Sequence, residues 1–236
     1  MRQKKVVTIC VCASRSLIDK EKAGRLAAIL KNENYHVSLE ADLCKKVMNK
    51  SADMEDIASG IIMACHPRAI HSHFHWLGLK PKQIIDIRNN SLDGILSQLQ
   101  IENNENLPET EVFIEQINSF PVEDGTDAWF PVLDKERCVE CGKCHDFCLF
   151  GVYSVENKKT IVALPQKCKN NCPACARMCP SQAIIFPKYE KSPINGGIDI
   201  EEKFNPQEMD ALYRKRLCHR LKQRRAGVPL MKKESI

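Results

Sequence analysis

The residues of this chain that could do chemistry are its thirteen cysteines. Eight of them fall into two short runs, C-x2-C-x2-C-x3-C from residue 138 and C-x3-C-x2-C-x3-C from residue 168. Three closely spaced thiolates wrap three corners of a cubane cluster, and the fourth cysteine of each run reaches the other cluster. The spacing therefore predicts two [4Fe–4S] sites. The predicted ligands are Cys138, Cys141, Cys144 and Cys179 for the first site and Cys168, Cys172, Cys175 and Cys148 for the second.

Two other metal chemistries use related spacings. Zinc modules also pair cysteines, but eight cysteines in two such runs fit cubane clusters better. The run from Cys168 to Cys175 also spells C-x3-C-x2-C, with which radical S-adenosylmethionine enzymes leave one iron open. A fourth cysteine is available here for that iron, and function has to be argued from the site itself. The interpretation as two clusters is therefore preferred.

The region around these cysteines, about residues 130–188, resembles the two-cluster bacterial ferredoxin family. The similar pieces are Asp134-Lys-Glu-Arg-Cys138, a hairpin of Tyr153-Ser-Val and Thr160-Ile-Val-Ala-Leu turned at Asn157-Lys158, and Cys179-Pro-Ser-Gln-Ala-Ile-Ile. Leu149 stands where that family usually has proline, and Asn170-Asn171 adds a residue to the second loop. The extra residue predicts that the second cluster is the more labile one.

Residues 1–101 alternate short apolar runs with amphipathic ones, which predicts a small open α/β domain with a parallel sheet. The expected strands are Val6–Cys12, His36–Ala41, Gly60–Ala64 and Gln83–Ile87. The expected helices are Asp19–Lys31, Ala52–Ser59, Pro67–Leu77 and Ser91–Leu99. In an open α/β sheet, ligands bind at the carboxyl ends of the strands.

Four further cysteines are expected at that edge: Cys10, Cys12, Cys44 and Cys65. Together they form a full ligand set for a third [4Fe–4S] cluster, and a helix start at Pro67 with Arg15 or Arg68 would stabilise its negative charge. Cysteines this far apart in sequence do not by themselves identify the kind of site that they form. Buried inert thiols, a zinc site and a redox disulfide remain open alternatives.

The same domain resembles the N-terminal domain of the A subunit of heterodisulfide reductase. The similar pieces are Cys10-Val-Cys12, Asp42-Leu-Cys44, Ile61-Ile-Met-Ala-Cys65-His-Pro-Arg68 and Ile87-Arg88-Asn89. The resemblance implies a cluster relay with these cysteines as ligand candidates. His66 replaces the usual serine, and the chain has no G-x-G-x-x-G fingerprint, so the flavin chemistry of that subunit is not implied.

The remaining sequence divides by charge. Residues 102–127 hold eight acidic residues and no Lys or Arg, which predicts an acidic linker in which Val112–Ile117 is a short ordered piece. Residues 128–188 form the ferredoxin domain, and 189–236 a basic helical tail. The tail helix is expected to start at Asn205-Pro206 and to stop at Gly227 and Pro229.

Several chemistries lack support in the sequence. Nucleophilic triads, phosphate-binding loops and paired catalytic carboxylates are not found, which favours a non-catalytic electron-transfer subunit over an enzyme. The basic tail carries an apolar stripe of Met209, Leu212, Tyr213, Leu217 and Leu221 without aromatic interleaving, so docking to an acidic partner is expected rather than nucleic-acid binding. His71, His73 and His75 fall on one predicted helix, where a metal role competes with ordinary packing. Cys218 has no assigned role.

The sequence thus predicts an iron–sulfur electron-transfer protein. It would serve as a subunit or shuttle for a redox partner such as a flavoprotein, a hydrogenase or another oxidoreductase subunit. The alternative is a redox- or oxygen-sensing or assembly module whose clusters are structural. The apolar run Val6–Ala13 is short for a signal peptide, and no stretch approaches the roughly 18 apolar residues of a membrane span, so we expect a cytoplasmic protein.

Overall fold

A computed structural model describes residues 5–103, 107–122, 127–197 and 208–227. Its largest sheet has four parallel strands in the order β2-β1-β3-β4. The strands are β1 (Val6–Cys10), β2 (His36–Glu40), β3 (Ile61–Ala64) and β4 (Gln83–Asp86). The predicted α/β fold class is confirmed. Strand β1 ends two residues earlier than expected because Cys12 adopts a left-handed backbone conformation, with φ +48°.

Five helices connect or follow these strands: α1 (Lys20–Asn32), α2 (Leu43–Met48), α3 (Met54–Ser59), α4 (Pro67–Trp76) and α5 (Leu92–Leu99). Four of them lie where the periodicity predicts them. The short helix α2 was not predicted, because six residues are too few for a clear period. Asp42 starts it, since its carboxylate accepts a hydrogen bond from the amide of Lys45 at 3.2 Å.

The predicted acidic linker contains a helix, α6 (Glu109–Ser119), which packs against α1. Ile117 on this helix is buried in the core of the α/β region. The approach is close, because a Cβ atom at Gly24 would lie 2.5 Å from Cγ1 of Ile114. The ordered part of this segment is therefore longer than the predicted Val112–Ile117. Part of it packs against the first domain. The domain boundaries themselves stay a prediction.

The cysteine-dense region is built from short elements. Strands β5 (Val132–Leu133) and β8 (Ile184–Ile185) pair antiparallel, as do β6 (Tyr153–Glu156) and β7 (Lys159–Val162). Helices α7 (Lys143–Phe147) and α8 (Ala174–Met178) have only five residues each. The hairpin turns at Asn157 and Lys158, whose φ angles are +49° and +63°, as a type I′ turn requires.

The tail forms helix α9 (Met209–Gly227). The described residues of this segment end at Gly227, so the predicted stop stays a prediction, and Asn205, Pro206 and Pro229 lie outside the described residues. Among the described residues, no helix has the length and apolar character needed to cross a membrane.

The two regions pack on a common apolar core. Phe130, Val132 and Ile185 from the cysteine-dense region lie in the same cluster as Ile62 and Phe74 from the α/β region. The indole N–H of Trp76 also donates a hydrogen bond to the carbonyl of Val162, at 3.0 Å. This shared core holds the cysteines of the two regions in a defined relation to each other.

Candidate iron–sulfur centres

The structure gathers the first predicted ligand group around one cavity, whose lining includes Cys138, Cys141, Cys144 and Cys179 and also Cys175 of the second group. Burial raises the pKa of Cys144 to about 12, and the negative charges that Cys179 and its other thiol neighbours could carry raise it further. The amide of Ala183 donates to the sulfur of Cys179 at 3.3 Å. Thiols this close cannot all ionise unless a cation shares their charge, and iron would supply it.

The second predicted group also comes together, although its members lie far apart in sequence. Burial raises the pKa of Cys168 to about 12, with smaller contributions from neighbouring Cys172 and Cys148. Burial likewise raises the pKa of Cys175 to about 12, and the phenol of Tyr153 donates a hydrogen bond to its sulfur at 3.1 Å. Cys148 follows α7 and Cys179 follows α8, and these two helices are in contact. The fourth cysteine of each run therefore lies near the first three cysteines of the other run.

The four N-terminal cysteines meet at the carboxyl edge of the sheet. Cys10 ends β1, Cys12 follows two residues later, Cys44 lies in the first turn of α2, and Cys65 follows β3 directly. Burial raises the pKa of Cys65 to about 12, and neighbouring Cys12 is the next largest cause. Burial also raises the pKa of Cys44, to which Asp42, Cys65 and Cys12 add. Each thiol thus lies within electrostatic range of others in the group.

The surroundings of the N-terminal group fit an anionic cofactor. One buried nitrogen donor near these thiols has no hydrogen-bond partner among the described residues, namely Nη1 of Arg88. Arg88 lies close enough to Cys12 and Cys65 to lower the pKa of both thiols. Buried donors normally have a partner. An iron–sulfur cluster would supply acceptor sulfides at this place.

Within the described ranges, no group of three or more His, Cys, Asp or Glu side chains is arranged to hold a metal ion. A [4Fe–4S] cluster makes a different demand on its ligands, because each of its four irons takes one cysteine and the sulfurs stand around the whole cubane.

The two predicted cations, Arg15 and Arg68, are both ion-paired, and two further cations lie beside the N-terminal cysteines. Arg15 pairs with Asp127 at 2.9 Å, and Arg68 pairs with Asp134 at 2.5 Å, so both are engaged at the boundary with the cysteine-dense region. Lys188, which is only 4% exposed, and Arg88 lie close enough to Cys12 to lower the pKa of its thiol. Burial opposes its charge, but Cys44 and Asp42 outweigh burial and raise the pKa of Lys188.

Lys188 could not be found from sequence because it belongs to the other region. Its ammonium donates to the hydroxyl of Ser14 at 2.9 Å and to Asp127 at 3.2 Å, and it also pairs with Asp42. No sequence motif relates a lysine after the last ferredoxin strand to a carboxylate 146 positions earlier. The shared core creates this contact.

The extra residue of the second cysteine loop has a structural role. The guanidinium of Arg15 donates to the side-chain oxygens of Asn171 at 2.7 Å and Asn170 at 2.8 Å, and its carbon lies 5.0 Å from the ring centre of Trp129. Asn170 also donates to Asp127 at 3.0 Å. The lengthened loop therefore accepts hydrogen bonds from Arg15 of the α/β region. The predicted lability of this cluster stays untested.

The three neighbouring histidines have different surroundings. His71 and His75 are exposed on α4, whereas His73 is fully buried. The i, i+4 pair His71 and His75 thus faces solvent, and its suggested metal role stays untested. Cys218 is exposed on α9.

Helix α9 lies against the first ferredoxin group. Arg216 donates a hydrogen bond to the carbonyl of Cys179, and Lys143 pairs with Asp210 at 2.6 Å. The ammonium of Lys143 also lies 4.6 Å from the ring centre of Tyr213. Basic side chains such as Lys215 and Lys222 line the open groove beside this contact. The positive tail is therefore adjacent to the Cys138 group.

The fold and the paired cysteine groups define an iron–sulfur protein. The chain is 31% identical to Ferredoxin-3 of Nostoc over 88 residues, which cover 28% of this chain and 90% of that protein. It is 33% identical to pyruvate synthase subunit PorD of Methanocaldococcus jannaschii over 81 residues, 34% of this chain and 93% of that protein. This chain belongs to the ferredoxin family of iron–sulfur electron-transfer proteins.

A third relative, the uncharacterized ferredoxin MJ0251 of Methanocaldococcus jannaschii, is 49% identical over 67 residues. That match covers 28% of this chain and 45% of the relative, so the chain spans less than half of its length. No family model matches the chain.

Proposed function

We propose that this protein relays electrons through two ferredoxin [4Fe–4S] clusters and a third cluster in its α/β region. It would act as a subunit or shuttle of an oxidoreductase complex. The observation that carries the proposal is the proximity of thiols within each predicted group, because neighbouring cysteines contribute to the raised pKa of Cys144, Cys168 and Cys44. When bound, each cluster takes up and releases one electron.

The ligands that we propose for the two ferredoxin clusters are the eight cysteines of the paired runs. Cys138, Cys141, Cys144 and Cys179 would hold the first cluster, and Cys168, Cys172, Cys175 and Cys148 the second. Hydrogen bonds to ligand sulfurs tune cluster potentials. The amide of Ala183 makes such a bond to Cys179, and the phenol of Tyr153 makes one to Cys175.

Cys10, Cys12, Cys44 and Cys65 are the proposed ligands of the third cluster. Inert buried thiols would also be neutral and close-packed, so burial by itself does not decide between cluster ligands and inert core cysteines. The support for a cluster comes from Arg88, which lies beside Cys12 and Cys65 and whose Nη1 has no hydrogen-bond partner among the described residues. Burying positive charge against an apolar thiol cluster is costly, whereas an anionic cofactor would offset that cost. The resemblance to heterodisulfide reductase points to the same assignment.

The packing suggests an order for the relay. Cys168, of the second ferredoxin group, packs against the apolar cluster that contains Cys10 and Cys44. Cys175 of the second group is in turn close enough to Cys144 of the first to raise its pKa. We therefore propose that the second ferredoxin centre lies between the N-terminal centre and the first ferredoxin centre, which is the one next to α9.

The proposed partner is a flavoprotein, a hydrogenase or another oxidoreductase subunit in the cytoplasm. One relative, PorD, is by name a subunit of pyruvate synthase, which supports a role within a complex. The exposed basic residues Arg214, Lys215 and Lys222 lie on the helix that borders the first ferredoxin group. An acidic partner surface docking there would bring its redox group near the end of the relay.

Iron and sulfide content tests the number of clusters. An anaerobic preparation should contain about twelve irons and twelve acid-labile sulfides per chain, against about eight of each for two clusters. Cys12→Ser and Cys65→Ser should each remove about four irons and leave the ferredoxin signals in the electron paramagnetic resonance (EPR) spectrum unchanged. Cys218→Ser is the matched control, because this thiol is exposed and belongs to none of the three groups.

Three results would count against parts of the proposal. Eight irons, no zinc and no effect of either substitution would make the N-terminal cysteines core residues. One zinc without extra sulfide would identify a zinc site. Clusters that are lost on one cycle of dithionite reduction and air reoxidation would favour the sensing alternative over a relay.

A further inference from the structure

His73 is a buried polar side chain that the proposed function leaves unexplained. It lies on α4 and is 0% exposed. Neither of its ring nitrogens has a hydrogen-bond partner among the described residues. Because buried polar groups are nearly always paired, an unpaired imidazole in a core points to a missing acceptor or to a functional role.

The ring faces a narrow crevice between the two regions of the molecule. Cys44, Lys188, Trp129 and Phe130 line this crevice together with His73. The imidazole packs on Phe130 with ring centres 5.3 Å apart. The crevice has no room for a water molecule, so solvent cannot supply the missing hydrogen bond.

The protonation state of the ring follows from its surroundings. Burial, and next the positive charge of Lys188, lower the pKa of His73 to about 3. In either protonation state the imidazole keeps at least one N–H donor. Cys44 lines the same crevice, and its sulfur would become a better hydrogen-bond acceptor as a metal-bound thiolate.

We infer that His73 donates a hydrogen bond to the sulfur of Cys44 when that sulfur binds the proposed N-terminal cluster. His73 is thus a positioning residue that raises the reduction potential of this cluster. The inference rests on the proposed function, because it requires a cluster at this site. Hydrogen bonds to ligand sulfurs stabilise the more negative, reduced state and so raise the potential.

The experiment is a potentiometric EPR titration of the full, anaerobically prepared chain. His73→Phe keeps a ring of similar size but removes the donor, and should lower the midpoint potential of the N-terminal signal. His73→Gln keeps an N–H donor, and should restore a potential near that of the wild type. The two ferredoxin signals should not move in either variant, because their ligands belong to separate sites.

His71→Phe and His75→Phe are the matched controls, since both residues are exposed on the same helix. Neither should change the N-terminal potential. A His73→Phe variant that keeps its iron and its N-terminal potential would overturn the inference, and so would an equal shift in the two controls.

A measurement on the unaltered chain covers the case in which His73→Phe fails to fold. With ¹⁵N-labelled histidine, pulsed EPR of the reduced N-terminal cluster should show coupling to one histidine nitrogen. The coupling should disappear in His73→Gln and persist in His71→Gln. Absence of the coupling, or its loss in His66→Gln instead, would overturn the inference while leaving the cluster in place. Eight irons and no third EPR signal would overturn the third cluster, and the inference with it.

Discussion

The N-terminal cysteines and the ferredoxin cysteines occupy different kinds of scaffold. Cys10, Cys12 and Cys44 are buried at the end of a four-stranded sheet that has its own apolar core. Most of the ferredoxin cysteines are only partly buried, and Cys141 is exposed, on loops joined by two-stranded sheets and five-residue helices. The first scaffold can place its thiols before a cofactor arrives. The second has little to hold it without one, because so small an apolar core contributes little stability.

Removal of iron should therefore affect the two regions differently, and this is the largest effect that we expect. Chelation under anaerobic conditions should unfold residues 128–188, because binding of the metal supplies much of the folding free energy of such a unit. The sheet of the α/β region should remain folded. Hydrogen exchange followed by mass spectrometry measures both regions in one sample.

The parallel sheet provides the internal control for that experiment, since amides of β1 and β3 should stay protected. Equal protection of the ferredoxin region before and after chelation would show that the clusters are not its scaffold. Loss of protection throughout the chain would show that the shared core around Phe130 and Phe74 makes the two regions one folding unit.

The buried charges between the regions should give the next largest effect. Lys188→Met leaves Asp42 and Asp127 buried without their ammonium partner, and removal of one member of a buried pair costs about 3–5 kcal/mol. Both tryptophans lie at this boundary, so their fluorescence during urea unfolding reports the loss.

Lys31→Met is the matched control, because Lys31 pairs with Glu109 at 3.0 Å on the surface and should lose at most about 1 kcal/mol. Equal effects of the two substitutions would mean that the Lys188 network does not stabilise the boundary. The ion pairs of Lys188 would then not be what joins the two regions.

The smallest effect is expected at the exposed tail. Reversing the charges of Lys215 and Lys222 should slow electron exchange with an acidic partner, and added salt should slow the unaltered protein in the same way. Cluster content should not change. The measurement is the rate of partner reduction against ionic strength, with charge reversal of Lys20 and Lys31 on α1 as the control. Rates that respond equally to both reversals would assign no docking role to the tail.

Much of the fold was predictable from the sequence, because its signals are local. The alternation of apolar strands with amphipathic helices predicted the parallel sheet and four of its helices, and Asn157-Lys158 predicted the hairpin turn. The helix over Glu109–Ser119 was missed as a full element, since its apolar residues are few and gain their partners on α1 only after folding. The sequence also offered Arg15 and Arg68 as the cations of the N-terminal site, but it could not show that Asp127 and Asp134 pair with them.

The sequence by itself predicted the iron–sulfur chemistry of this protein, since cysteine spacing within a loop limits which thiols can reach one cubane. It also placed Cys10, Cys12, Cys44 and Cys65 at one sheet edge, because the carboxyl ends of parallel strands meet there. Only the tertiary structure decided what surrounds those thiols. Lys188 reaches Asp42 beside the N-terminal site from 146 positions away, and His73 lies in a crevice that Lys188 and Trp129 of the other region close. Contacts between regions so far apart leave no periodic signal in a sequence.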